Sequence, residues 1–162
     1  MKEKALDPVW WRGVKITARM RDMLRDAEAR FQKKYPGISI VPVQGSWSNG
    51  SLSGGTHSGA GAVDLRSRIY TKDQLQYLLR CLKDVGLACW YRPFNWDGND
   101  GGEHIHGLDK VKTGMDSGAK WQVDQYKAGR SGLTSNLRDT SYRAKGDPVW
   151  NYTQGRPVPR AA

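Results

Sequence analysis

Residues 87–108 read LACWYRPFNWDGNDGGEHIHGL, and the fold turns on this stretch. Two β-favouring runs, 87–94 and 104–108, flank a connection rich in Gly, Asn and Asp, the pattern of an antiparallel hairpin with a long loop. His104 and His106 stand on the second run. The chain's remaining histidine, His57, lies in GGTHSGAGAVDL at 54–65, where Ala62 to Leu65 is a short apolar piece suited to a further strand. All the histidine therefore falls in two short segments carried by strands or strand ends.

Outward from the hairpin, helices alternate with these strands. Thr71 caps a predicted helix with Leu75, Leu78, Leu79 and Leu82 on one face and Gly86 as its stop. Upstream, Met20, Met23, Leu24, Ala27 and Phe31 recur at helical spacing between Thr17 and Lys34, and Tyr35, Pro36 and Gly37 end the pattern. ISIVPVQGS at 38–46 predicts a strand that runs into a Gly/Ser/Asn loop ending at His57. Ser117 to Ala128, with Trp121 and Tyr126, predicts a last helix closed by Gly129. Residues 130–162 show no clear periodicity, although Trp150 and Tyr152 are suited to pack the tail onto the rest. DPVW occurs at 7–10 and again at 147–150 without wider similarity, so no repeat is inferred. This order predicts an α+β fold, a small antiparallel sheet flanked by three helices. Residues 1–135 would form one domain that includes the first helix, and 136–162 an extension packed on it or partly disordered.

A length of 162 residues suits one core. No run approaches the roughly 20 apolar residues of a membrane-spanning helix. The start, MKEKALDPVWWRGVKI, has no apolar stretch of signal-peptide length, so synthesis in the cytoplasm without a signal peptide is expected. Cys81 and Cys89 are too few for a disulfide framework and are read as reduced and structural. Net charge is +10, distributed as +5 over residues 1–35, −1 over 36–109 and +6 over 110–162. The basic flanks suit a polyanion, either nucleic acid or the anionic polymers of a bacterial wall, and equally a solvated surface. A monomer is expected.

The two histidine segments each pair an imidazole with a carboxylate. His57 and Asp64 are seven apart and share one ion only if the chain turns between them, which Gly59 and Gly61 permit. His57, Asp64 and His106 would then be three ligands of a catalytic zinc, whose fourth position is left to water. Glu103, three before His106, is the candidate base. Strand alternation, however, puts Glu103 with Ile105 and puts His104 with His106, so regular geometry favours His104. Glu103 reaches the water only through an irregular strand start, which the glycines before it would allow.

These residues resemble the zinc metallopeptidases that group D-Ala-D-Ala dipeptidases and carboxypeptidases, phage L-alanyl-D-glutamate endopeptidases, lysostaphin and the hedgehog signalling domain. Of the family's first motif, SxHxxGxAxD, the chain has His57, Ala62 and Asp64, with Gly55 in place of Ser and Ala60 in place of Gly. Glu103 and His106 match the second, ExxH, and His104 with His106 matches the HxH of the lysostaphin branch. The wider stretch, roughly residues 15 to 135, looks like the peptidase domain of endolysins from phages of actinobacteria. The resemblance implies a hedgehog-like or D-Ala-D-Ala peptidase-like fold with Zn2+ held by His57, Asp64 and His106, and Glu103 or His104 as base. It also implies a polar group on the strand before the loop that stabilises the oxyanion. Many relatives carry Arg there, and Gln44 is the candidate here. Beside the site, Arg92 is a candidate to bind a substrate carboxylate, with Trp90 next to it.

The expected function is therefore hydrolysis of an amide bond in the stem peptide or cross-bridge of peptidoglycan, acting on the wall after release during host cell lysis. Alternatives are a D,D-carboxypeptidase acting on muropeptides and a hedgehog-like, zinc-stabilised module without turnover. A metal-dependent nuclease fits less well, because the carboxylates are few and the basic flanks lie off the motif, so no nucleic-acid partner is expected. The loops at 45–56 and 95–102 are expected to decide which bond is cut.

Overall fold

The computed structural model describes residues 2–48, 55–99 and 101–160. It is α+β, with three helices and small antiparallel sheets. A hairpin of β1 (Pro8–Trp11) and β2 (Val14–Thr17) leads into α1 (Ala18–Gln32) and β3 (Pro42–Gln44). Then come β4 (Ala62–Arg66), α2 (Lys72–Asp84), β5 (Leu87–Arg92), a single 3-10 turn at Trp96–Gly98, β6 (His104–Asp109) and α3 (Ser117–Lys127). A second hairpin, β7 (Val149–Asn151) and β8 (Arg156–Val158), closes the described chain. The central sheet has the order β3-β4-β6-β5, every neighbour antiparallel.

The helices begin where side chains can satisfy their first amides. Thr17 Oγ1 accepts from Met20 N at 3.0 Å, and Asp116 accepts from Ala119 N at 2.7 Å. Thr71 and Gln74 form a reciprocal capping box, 3.3 Å and 2.9 Å. Gly86, the stop of α2, has φ +104°, and a Cβ there would lie 2.8 Å from Trp150 N. The position demands glycine for its backbone and for the close passage of the C-terminal segment.

Two readings of the sequence need correction. The strand expected at 38–46 is only Pro42–Gln44. Before it, Ile40 N donates to Glu28 on α1 at 2.6 Å, so a side chain takes the place of a ladder partner. The β1–β2 hairpin was not anticipated. Its two-residue turn, Arg12 and Gly13, has φ 49° and 85° at the two positions, as a type I′ turn requires.

Register divides the sheet into two faces. Val63, Leu65, Cys89 and Ile105 point one way and join the buried residues of α1 and α2, among them Met20, Phe31, Leu78 and Leu82. Trp150 is buried in the same cluster, and Lys83 Nζ donates to Ser141 Oγ and to the Tyr142 carbonyl, so the segment after residue 136 packs against α2. Residues 161–162 of that expected extension lie outside the described residues. The opposite face carries Ala62, Ala88, Trp90 and Leu108, which pack under Ala119, Val123 and Tyr126 of α3. Cys81 and Cys89 are both free and buried.

Candidate metal centre and its cleft

The face under α3 continues along the strands into polar residues. Across β4, β6 and β5, Asp64 stands opposite His106 and His106 opposite Trp90; two residues further along, Arg66, His104 and Arg92 form the next row. Partners directly opposite in an antiparallel ladder point to the same side, so this grid is one surface. Gln44 on β3 stands opposite Asp64 and extends the first row.

His57 reaches the grid from the loop before β4. Gly61 supplies the reversal between His57 and Asp64 with φ +81°, as the sequence suggested. Gly59 serves differently: a Cβ there would lie 2.6 Å from the Gly114 carbonyl oxygen, so this glycine permits a close backbone approach. Ala60 N donates to that carbonyl and Ser48 N to the His57 carbonyl, which anchors the loop on both sides.

His57, Asp64 and His106 converge, with their ligand atoms all within 4.8 Å of one another, and the group could hold a metal ion. His57 Nδ1 is 2.8 Å from the Gly45 carbonyl, to which it donates, leaving Nε2 with its lone pair. That Nε2 is buried, 3.2 Å from Asp64 Oδ1, and makes no hydrogen bond.

His106 is fixed by a residue on α3. Gln122 Nε2 donates to the Gly132 carbonyl at 3.0 Å, which turns Oε1 toward His106 Nε2 at 2.9 Å. An amide oxygen only accepts, so His106 Nε2 carries the proton and Nδ1 presents a lone pair 2.7 Å from Asp64 Oδ1. Two acceptors then face each other beside an orphaned imidazole nitrogen, and a cation among the three reconciles them. The donor set, two imidazole nitrogens and one carboxylate oxygen, fits a divalent metal ion.

At Asp64 and His106 the electrostatics agree with that role; at His57 a bound cation would have to displace a proton. Burial raises the Asp64 carboxyl, but its close contacts with the His106 and His57 rings outweigh it and hold the group well below the usual carboxylate range. Burial, aided by the Arg92 charge, pushes His106 down to about 3. Burial would also lower His57, yet its contact with Asp64 leaves it raised overall. An ionised Asp64 and a neutral His106 are the states in which these groups bind metal.

The group lies in an open cleft of about 440 Å³ also lined by Gln44, Arg92, Glu103 and His104. His104 Nδ1 lies 2.7 Å from the Gly102 carbonyl and donates to it, so in the neutral ring Nε2, 3.8 Å from Asp64 Oδ1, is the nitrogen with the lone pair. Gln44 Nε2 donates to Ser48 Oγ at 3.2 Å. Glu103 lines the cleft with the candidate ligands and sits in a bend just before β6. Its carboxylate is nonetheless drawn to the side of Tyr91, a neighbour of Ile105, where it accepts from the Tyr91 hydroxyl and pairs with Arg68 Nε at 3.0 Å. Trp90 also differs from its expected place against substrate. It is buried behind His106, near-parallel to that ring at 6.1 Å between centroids, and donates from Nε1 to the Arg130 carbonyl. Of the two loops expected to select the bond, residues 49–54 and Asp100 lie outside the described residues.

Sequence reasoning missed Gln122. The signal was present: Ala119, Val123 and Tyr126 form the buried face of α3, and an amide set between them needs a partner. No protein-family model, curated protein or solved structure matches the chain.

Proposed function

We propose that this protein is a zinc-dependent peptidoglycan peptidase, made in the cytoplasm and acting on the bacterial wall after release, where it hydrolyses an amide bond in the stem peptide or cross-bridge. The supporting observation is the convergence of His57 Nε2, Asp64 Oδ1 and His106 Nδ1 in an open cleft, with the other nitrogen of each imidazole already occupied. The likeness of the HxxxxxxD and ExxH motifs to D-Ala-D-Ala peptidases supports the substrate class. When bound, zinc supplies Lewis acidity toward a carbonyl and makes a water acidic enough to react near neutral pH.

The chain's own residues would divide the remaining work. His104 Nε2 is free to take a proton from the attacking water, because its Nδ1 is committed to Gly102. Gln44 is an uncharged donor for the developing oxyanion on the side of Asp64. Glu103, occupied by Tyr91 and Arg68, holds the strand entry that carries His104.

Incubation of the zinc-loaded protein with purified peptidoglycan, and in parallel with plasmid DNA, tests the reading. Mass spectrometry of the released muropeptides is expected to find new amino termini at one bond, lost on chelation, with the DNA intact. Nicked DNA would turn the reading to a nuclease, and bound zinc without new termini to a zinc-stabilised binding module. Asp64→Ala is expected to abolish stoichiometric zinc; retention of the metal would contradict the ligand set.

A further inference from the structure

Arg92 ends β5 on the cleft side of the sheet, in register with His104, and Arg66 flanks the same histidine from β4. It is 5% exposed and lines the cleft with the three candidate ligands. Its Nε has no hydrogen-bond partner, and among the described residues its one hydrogen bond is from Nη2 to the Ser131 carbonyl at 3.5 Å, the limit of such a bond. The guanidinium carbon sits 5.1 Å from the Trp90 ring centroid.

Among the described residues no carboxylate lies within 4.0 Å of Arg92. The two whose charge it feels are committed elsewhere. Asp64 belongs to the candidate ligand set, and Asp97 accepts from Ser131 Oγ, Ser135 N and Leu137 N. Burial consequently pushes the guanidinium down to about 10, and neither acid restores it. A buried charge without a partner is strongly unfavourable. Trp90 recovers part of that cost, and a planar fork with open donors takes a carboxylate in two parallel hydrogen bonds.

We propose that Arg92 is an anion subsite of the cleft, which receives a carboxylate of the substrate beside the scissile amide. The inference rests on the peptidase reading for its substrate and adds a selection rule: a peptide amidated at that carboxylate is a poor ligand. Two sources share the chemistry, the C-terminal carboxylate of a leaving residue and a side-chain carboxylate within a longer peptide.

Three acetylated tripeptides separate the sources in equilibrium binding to zinc-loaded and to chelator-treated protein: Ala-Gln-Ala with a free C terminus, Ala-Glu-Ala amide, and Ala-Gln-Ala amide. One carboxylate peptide is expected to bind at least about tenfold more tightly than the fully amidated one, in both metal states. Arg92→Gln should level the three, and Arg92→Lys should restore part of the preference. Equal binding of all three by the wild type overturns the proposal. So does a preference that survives Arg92→Gln, which would assign the carboxylate to the metal. The wild type gives a check that does not depend on folding of a variant: the Arg92 Nε–H resonance should shift with the preferred carboxylate peptide and not with its amide, and an unmoved resonance refutes the subsite. Loss of the peptidase reading would appear separately, as absent zinc or absent hydrolysis with the carboxylate preference intact.

Discussion

The two faces of the central sheet are made by alternate residues of the same strands, yet one is sealed and the other opens into a polar cleft. Val63, Leu65, Cys89 and Ile105 are buried beneath α1 and α2, while Ala62, Ala88 and Leu108 lie beneath α3 and give way along the strand to Asp64, His106, His104 and Arg92. The contrast teaches that period-two geometry lets one five- or six-residue strand serve as scaffold and site together. The sealed face fixes the strands' positions; the open face inherits that rigidity for its candidate metal group.

The largest effect expected from breaking the open face is on turnover. His104→Ala should lower hydrolysis by about 10²–10⁴-fold, the worth of a positioned acid or base, with stoichiometric zinc retained. Metal analysis alongside muropeptide release checks both halves, and full activity would remove His104 from the chemistry. Its strand neighbour on the sealed face should behave oppositely. Ile105 is fully buried, so Ile105→Ala should cost about 2–5 kcal/mol in denaturant unfolding, with zinc per folded molecule unchanged. Loss of zinc from folded Ile105→Ala protein would mean that the faces are not independent.

Much of this contrast is legible in the sequence. The alternation His104, Ile105, His106 reads directly as two polar residues on one side and an apolar residue on the other. The amphipathic helices and the cap at Thr71 are equally plain, because helix spacing and first-turn hydrogen bonds are local. The β1–β2 hairpin escaped because its signal is only the Arg12–Gly13 turn between short runs, and its support comes from Gly45, where a Cβ would meet the Lys15 carbonyl at 2.2 Å. Ile38–Val41 escaped for a related reason: Glu28, ten or more residues earlier, takes the amide of Ile40. Contacts of this kind depend on tertiary placement that no window of sequence contains. The glycines before Glu103 permitted a bulge and could not require one.

Gln122 joins the two sides of the comparison, since it sits on the buried face of α3 and ends on His106. Gln122→Leu keeps the helix packing and removes the acceptor that holds the His106 proton at Nε2. Zinc affinity, measured by competition with a chromogenic chelator, should fall by about 10–100-fold, as is usual for lost partners of metal-bound histidines. Unchanged affinity would show that the ring is held in place by Trp90 and Asp64 alone.

The smallest effect is expected at Glu103, adjacent to His104 and directed to the other face. Arg68 is mostly exposed, so removing the Glu103 partner should cost under about 1 kcal/mol, and turnover should stay within a few-fold of the wild type. The sharper readout is Tyr91. Its hydroxyl donates to Glu103, and that hydrogen bond, with burial and the nearby negative charge, lifts the phenol to about 12. A carboxylate acceptor stabilises the neutral phenol, so Glu103→Ala should bring one tyrosine down toward its ordinary value in a difference ultraviolet titration. If Glu103 instead turned to the metal face, the tyrosine titration would not move and hydrolysis would collapse. One variant thus decides which of two adjacent residues the strand delivers to the cleft.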